Sequence, residues 1–250
     1  MLIAVSGKGG VGKTMLSTLL IKVFSEDNQD LLAIDADPDS NLPEALGIKI
    51  EKTIGDVREQ ILESRNRSPG KTLHDVLEYH VLGTIEETDN FDLLAMGRPE
   101  GSGCYCAVNH LMREIIDTWA KGYKTVIIDT EAGLEHLSRR TTQDVDIMIV
   151  VTDTSKRGIE TAKRIKTLAS ELDVEFKKLY VVINRSDEQM VKNIKKDLES
   201  ADLEVLGAIP EDSNVREFDY EGRPLTELPE SSPAMKEVRS IKERLTALPK

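Results

Sequence analysis

A glycine-rich segment close to the N-terminus places two lysines and a threonine in a spacing that suits the binding of phosphate groups. It reads Gly7-Lys8-Gly9-Gly10-Val11-Gly12-Lys13-Thr14, follows an apolar run and leads into a stretch with helical apolar spacing. The pattern Gly-x4-Gly-Lys-Thr between a strand and a helix predicts a P-loop. In such a loop Lys13 reaches the β- and γ-phosphates, and the Thr14 hydroxyl ligates magnesium. The residues predicted to contact the nucleotide here are Gly9, Gly10, Val11, Gly12, Lys13, Thr14 and Met15.

Two acidic turns follow later apolar runs, where an α/β sheet presents side chains at its carboxyl edge. The first reads Asp35-Ala36-Asp37-Pro38-Asp39-Ser40, and the second begins with Asp129 after the run Val126-Ile127-Ile128. Because it follows a P-loop, Asp129 is predicted to bind magnesium through water. For the first turn, a helix cap at Asp39 or Ser40 is an alternative to a chemical role.

Cys104 and Cys106 are the only cysteines in the sequence. A disulfide between residues so close would close almost no loop, so another use must be considered. Two thiolates do not fill a tetrahedral or square-planar metal shell, but a two-fold dimer would supply four, which suits zinc or nickel. A mononuclear Cys-x-Cys-x3-His site with His110 and two thiols without a metal are the alternatives.

Short apolar runs rich in β-branched residues alternate with longer stretches of helical period along the chain. This alternation predicts an α/β fold with parallel strands joined by helices, in three layers with a mostly parallel central sheet of about seven to eight strands. The predicted strands are 2–6, 31–35, 91–96, 125–129, 147–152, 179–184 and 204–209. The predicted helices are 13–25, 109–119, 156–172, 188–200 and 233–245.

Composition limits the classes of protein to consider. The 250 residues are 39% hydrophobic and show no long linker, which predicts one domain over 1–250 with a peripheral insertion at about 49–90. Without a basic leader or eighteen consecutive apolar residues, we expect a cytoplasmic protein with no stable membrane association. A formal charge of -12 would repel nucleic acid, so we expect no such partner.

Lys8 gives the loop the form Lys-Gly-Gly-x-Gly-Lys-Thr, which resembles the deviant Walker A motif of the MinD, ParA and nitrogenase iron protein superfamily. The resemblance implies ATP with Mg²⁺, and a face-to-face homodimer in which Lys8 contacts the partner's nucleotide, so that hydrolysis depends on dimerisation. It also implies that Asp37 orients or deprotonates the attacking water. The segment from Asp129 to Gly133 resembles the switch II pattern Asp-x-x-Ala-Gly, which would bring the Gly133 N–H to the γ-phosphate.

Two further segments resemble the adenine-binding positions of this superfamily. Asn184 ends the run Val181-Val182-Ile183 and would hydrogen-bond the edge of the base. The backbone that would line the adenine ring belongs to Pro210, Glu211 and Asp212.

The segment Gly-Arg-Pro-Glu-Gly-Ser-Gly-Cys-Tyr-Cys that ends at Cys106 resembles one family within the superfamily, the CooC-like maturation ATPases of carbon monoxide dehydrogenase. The stretches Asp-Ala-Asp-Pro-Asp-Ser from Asp35 and Glu-Ala-Gly-Leu-Glu-His from Glu131 are also similar. The family implies an ATP- and metal-dependent homodimer that helps to insert nickel into carbon monoxide dehydrogenase or acetyl-CoA synthase. Met15 departs from the family, which usually has a second threonine there.

Two other functions remain open at this stage. An electron-transfer ATPase like the nitrogenase iron protein also bridges a dimer with two cysteines per protomer, although its cysteines lie far apart in sequence. A positioning ATPase of the MinD or ParA type would bind DNA or membrane. A C-terminal apolar seam flanked by basic residues favours the second function, but docking of that helix on the core explains it more simply. The seam consists of Met235, Val238, Ile241 and Leu245.

Overall fold

The apolar runs form one eight-stranded sheet in the computed structural model, which describes residues 1–27, 30–57, 80–98, 116, 118, 120–131, 144–171 and 175–248. The strands Leu2–Gly7, Leu31–Ala36 and Thr125–Thr130 are buried along all or nearly all of their length, as parallel strands covered on both faces should be. The strands are Leu2–Gly7 (β1), Leu31–Ala36 (β2), Ile85–Glu87 (β3), Asp92–Ala95 (β4), Thr125–Thr130 (β5), Asp144–Thr152 (β6), Glu175–Ser186 (β7) and Glu204–Pro210 (β8).

The strand order is β3-β4-β2-β5-β1-β6-β7-β8, and β3 is the one antiparallel strand among those described. The glycine-rich segment follows β1, which lies between β5 and β6. Asp129 is in register with Val5 on one side and with Asp35 on the other. The carboxyl ends of β1, β2 and β5 therefore meet at one edge of the sheet.

Helices cover both faces of this sheet. The face that includes Ala4 packs against α3 and α4, and the face that includes Ile3 and Val5 packs against α1, α2 and α6. The helices that lie wholly within the described residues are Lys13–Ser25 (α1), Asn41–Leu46 (α2), Lys156–Glu171 (α3), Glu188–Glu199 (α4), Ser213–Glu221 (α5) and Pro233–Thr246 (α6), with short 3-10 turns at Ala120–Gly122 and Leu225–Glu227. The arrangement confirms the predicted three-layer α/β fold.

All seven predicted strands are present, and the predicted helix at 13–25 has the same bounds as α1. The sequence analysis missed β3, α2 and α5. It also predicted a helix at 109–119, which falls almost entirely outside the described residues. The insertion at 49–90 stays a prediction, because 58–79 are not described.

The C-terminal helix α6 lies on the core rather than apart from it. Its apolar seam is buried against α1 and β8. Gly207 of β8 leaves room for this contact, since an added Cβ would lie 2.6 Å from Ile241 Cγ1. Arg239 pairs with Glu26 and Glu230, which fixes the exposed side of the helix to α1. In the described part of the chain, no helix is both long and apolar enough to cross a membrane.

Replacing Ile241 with alanine tests whether this seam belongs to the folded core. Ile241 is fully buried, so we expect Ile241→Ala to lower the free energy of unfolding by about 2–5 kcal/mol, measured by urea denaturation. Lys236→Ala, on the exposed side of the same helix, is the control and should change it by less than about 0.5 kcal/mol. Equal effects of the two variants would contradict a core position for the seam.

Candidate nucleotide site

The glycine-rich segment forms a loop between β1 and α1 with the features of an anion site. Gly12, which precedes the helix, has φ 93°, a left-handed conformation that favours glycine. A Cβ at Gly12 would collide with the Asn184 amide. The first turn of α1 carries no acidic residue and no side-chain cap, so its N–H groups point toward the loop without a competing side chain. Lys13 is 8% exposed, while Lys8 is exposed.

Asp129 connects the end of β5 to the start of α1. Its carboxylate accepts hydrogen bonds from Thr14 Oγ1 at 2.7 Å and from Ser17 Oγ at 2.9 Å. Burial raises the pKa of Asp129 to about 6, although the two hydroxyl donors and the charge of Lys13 lower it. A hydroxyl and a carboxylate in contact are the oxygen donors that Mg²⁺ prefers, so these residues suit the predicted metal. Ser17 was missed, and its place one helical turn after Thr14 is the signal that could have found it.

Asp35 is a second buried carboxylate beside Asp129. Burial, followed by the charge of Asp129, raises the pKa of Asp35 to about 8. Its two oxygens accept hydrogen bonds from the backbone N–H groups of Asp37 and Leu42, both at 3.0 Å. The side chain therefore holds the turn between β2 and α2.

Asp37 lies in that turn, half-buried, at the same edge of the sheet as Thr14 and Asp129. The Asp37 N–H donates to Asp35 Oδ1 and Asp35 is in register with Asp129, so the three carboxyl groups lie near one another. After burial, the negative charge of Asp37 is a further cause of the raised pKa of Asp35 and of Asp129. Oδ1 of Asp37 accepts a hydrogen bond from the Asp39 N–H at 2.9 Å. The arrangement gathers acidic oxygens beside the phosphate loop.

A cleft opens beside the loop, between the ends of β7 and β8 and helix α5. Asn184, which is 3% exposed, donates a hydrogen bond from Nδ2 to the Val11 carbonyl at 2.7 Å, and its Oδ1 accepts one from the Arg185 N–H. Because an amide has two N–H hydrogens and two acceptor lone pairs, one of each is left for a ligand. The cleft is lined by Gly12, Met15, Asn184, Arg185, Ile209, Pro210, Glu211, Asp212, Val215, Arg216, Asp219 and Ala234.

The outer wall of this cleft belongs to α5, which the sequence analysis missed. Asp212 caps α5 by accepting from the Asn214 N–H, and its other oxygen accepts from Ser232 Oγ and the Ala234 N–H. Its carboxylate is thus engaged within the protein, and Asp212 also lines the cleft. The pattern of Asp212 before the helix and Gly222 after it is the capping signal that could have revealed α5.

Several predicted site residues lie outside the described part of the chain. These are Gly133, Cys104, Cys106 and His110. Within the described residues, no group of three or more His, Cys, Asp or Glu side chains is arranged to hold a metal ion. The roles assigned to the cysteines and to Gly133 stay predictions.

Residues 2–225 match the model of the CobQ/CobB/MinD/ParA nucleotide binding domain. The chain belongs to this family. The match covers the loop and all the residues that line the cleft except Ala234.

Three relatives of this domain show how far the likeness extends. An uncharacterized ATP-binding protein of Methanocaldococcus jannaschii is 54% identical and covers 98% of both chains. The carbon monoxide dehydrogenase accessory protein CooC of Rhodospirillum rubrum is 33% identical over 89% of this chain and 88% of that protein. Among solved structures, the MinD cell division protein of Aquifex aeolicus has a TM-score of 0.73 at 22% identity, over 99% of this chain and 97% of that one. The last likeness shows the shared fold.

Asp35 should make the stability of the magnesium-free protein depend on pH. Its pKa rises from 3.8 to about 8 on folding, so the folded state holds this proton more tightly and the free energy of unfolding falls as pH rises between these values. Asp35→Asn has no proton to lose, so urea denaturation between about pH 5 and about pH 8 should show a shallower fall.

The matched control for this slope is Asp146→Asn. The pKa of Asp146 is lowered on folding, so this carboxylate is ionised in both states above about pH 5 and contributes no slope there. Asp146→Asn should follow the wild-type slope. A wild-type slope in Asp35→Asn would contradict the raised pKa of Asp35.

Proposed function

We propose that this chain is an ATPase whose P-loop binds the triphosphate of ATP together with Mg²⁺. The observation that carries the proposal is the contact between the Thr14 hydroxyl and buried Asp129, beside the ammonium group of Lys13. Thr14 and Asp129 supply oxygen donors for the metal, and the ammonium group of Lys13 suits the β- and γ-phosphates. The ATP-binding relative from Methanocaldococcus jannaschii supports ATP as the nucleotide.

The base of ATP would occupy the cleft beside α5. The remaining N–H and acceptor of Asn184 would meet the edge of adenine, while the Pro210 to Asp212 backbone lines the ring. Residues Glu211 and Met15 complete the wall. Because Asn184 also bonds the Val11 carbonyl, base and triphosphate would be held by one connected set of contacts.

Hydrolysis to ADP and phosphate would proceed by positioning and charge stabilisation. When bound, Mg²⁺ neutralises charge on the β- and γ-phosphates. Asp37 would orient or deprotonate the attacking water, and the Gly133 N–H would contact the γ-phosphate. Lys8, exposed within the loop, would reach the nucleotide of a second copy in a face-to-face homodimer, where it supplies positive charge in the same way as an arginine finger.

The biological role that we propose is a metallochaperone for carbon monoxide dehydrogenase or acetyl-CoA synthase. Two lines of support are the Cys104-Tyr105-Cys106 sequence and the 33% identity with CooC of Rhodospirillum rubrum. Paired across a homodimer, four thiolates would bind one Ni²⁺ or Zn²⁺ ion as cargo. If ATP favours the closed dimer, binding assembles the metal site and hydrolysis releases the metal.

A positioning ATPase of the MinD or ParA type is the second candidate, because a MinD protein of Thermotoga maritima is 26% identical over 86% of this chain. Burial of the α6 seam argues against that helix as a membrane anchor in the folded chain. An electron-transfer ATPase would instead carry iron and sulfide, which metal analysis distinguishes from nickel or zinc.

Metal analysis of anaerobically purified protein tests the proposed role. With ATP and Mg²⁺ we expect a dimer that binds about one nickel or zinc ion, and Cys104→Ala should lose the ion while retaining ATP. His110→Ala is the matched control and should retain the metal. Loss of metal in His110→Ala would favour the mononuclear alternative, and an unchanged metal content in Cys104→Ala would refute the thiolate site.

Lys8→Ala tests hydrolysis across the dimer. Since Lys8 would contact the partner's nucleotide in the transition state, we expect the variant to bind ATP with nearly unchanged affinity but to hydrolyse it at least about 100-fold more slowly. Lys13→Ala, which removes the lysine of the protomer's own site, should lose binding itself. Wild-type turnover in Lys8→Ala, measured as phosphate release, would rule out this role.

A further inference from the structure

The end of β4 is bonded to the turn that contains Asp37. Because β2 and β4 are parallel neighbours, their carboxyl ends lie side by side. The Met96 N–H donates to the Asp35 carbonyl at 2.8 Å, and the Gly97 N–H donates to Ser40 Oγ at 3.1 Å. The Arg98 guanidinium then pairs with the Asp39 carboxylate. Three successive residues of one chain segment thus hold the turn of another.

Asp39 and Ser40, which contact Arg98 and Gly97, also donate the hydrogen bonds that orient Asp37. The Asp39 N–H donates to Asp37 Oδ1 at 2.9 Å, and the Ser40 N–H donates to the Asp37 carbonyl at 3.0 Å. Ser40 has φ 47°, a left-handed conformation that is uncommon in residues other than glycine, and its hydroxyl is held by the Gly97 N–H. The orientation of the Asp37 carboxylate therefore depends on the conformation of Asp39 and Ser40.

The segment from Met96 to Arg98 is itself held by contacts with Thr53 and Gly55. Gly97 has φ 64° and packs so closely on Thr53 that an added Cβ would collide with that side chain. The Gly55 N–H donates to the Met96 carbonyl at 2.8 Å. The segment that carries Arg98 therefore contacts residues 53–55 on one side and the Asp37 turn on the other.

The positive charge of Arg98 lies beside the acidic residues of the turn. Asp37 and Asp39 place two carboxylates within three residues, and like charges at this spacing repel. A guanidinium on Asp39 offsets part of that repulsion at the residue whose N–H aligns Asp37. The Arg98 and Asp39 side chains are 70% and 56% exposed, so their pair contributes little to folding stability. A small shift in the alignment of a reacting group nevertheless changes a rate.

We propose that Arg98 is a positioning residue for ATP hydrolysis, acting through Asp39 to hold the Asp37 carboxylate in the orientation that addresses the attacking water. This inference rests on the proposed ATPase function. It assigns Arg98 no contact with ATP, so its removal affects turnover rather than binding.

Steady-state kinetics of Arg98→Ala tests this role. We expect kcat to fall about threefold to fivefold with the KM for ATP unchanged, because an exposed ion pair contributes at most a factor of this size. Asp39→Arg and Arg98→Asp should each lose activity, and the double variant, with the charges exchanged, should recover most of it. Lys124→Ala is the matched control, because Lys124 and Asp30 form a similarly exposed ion pair, with side chains that are 69% and 63% exposed. This pair lies at the start of β5 and β2, at the opposite edge of the sheet from the Asp37 turn.

The outcomes separate this inference from the function on which it rests. If ATP hydrolysis by Arg98→Ala matches that of Lys124→Ala, or if the charge exchange recovers nothing in a folded double variant, Arg98 has no positioning role, while the ATPase function stands. A raised KM with unchanged kcat would place Arg98 in binding and also overturn the inference. A wild type that neither binds nor hydrolyses ATP overturns the proposed function and this inference with it.

Discussion

Two carboxylates buried side by side are the constraint on which the site depends. The register of β2 and β5 places Asp35 directly beside Asp129, away from solvent, where burial and the charge of Asp129 raise the free energy of the ionised form of Asp35. Each is stabilised by its own donors: hydroxyls of α1 for Asp129, and backbone N–H groups of the β2–α2 turn for Asp35. These hydrogen bonds fix the phosphate loop and the Asp37 turn relative to each other. A divalent cation in this place would offset the charge that the fold has gathered there.

Much of the fold could be predicted because its signals are local. Doubly covered strands are apolar throughout, and the helix after the glycine loop has a regular apolar face, so their positions follow from the sequence. The strand β3 was missed because it is short and contains two glutamates, Glu86 and Glu87. Helix α2 was missed because it is a short element with Pro43 inside it, preceded by Ser40 in a left-handed conformation.

Some features of the candidate site could also be predicted from the sequence, and others could not. The P-loop and both acidic turns lie in continuous motifs, so the sequence analysis found them. The Asn184 contact with Val11, the Ser17 contact with Asp129 and the Arg98 pair with Asp39 join residues that are distant in sequence. No periodicity records such contacts, because they arise only when the strand order brings separate loops to one edge. The parallel sheet, rather than any single motif, assembles the proposed nucleotide site.

The elements that bury α1 and pair with β1 are synthesised later than α1 and β1 themselves. Strand β1 and the glycine loop leave the ribosome before β5 and β6, which pair with β1, and before α6, which covers α1. Asp212, at the wall of the cleft, completes its hydrogen bonds only with Ser232 and Ala234 at the start of α6. Since translation adds about 5–20 residues per second, the glycine loop waits several seconds or more for these partners. The glycine loop is thus made before the elements that hold it, and the cleft beside it is complete only after the start of α6 has emerged.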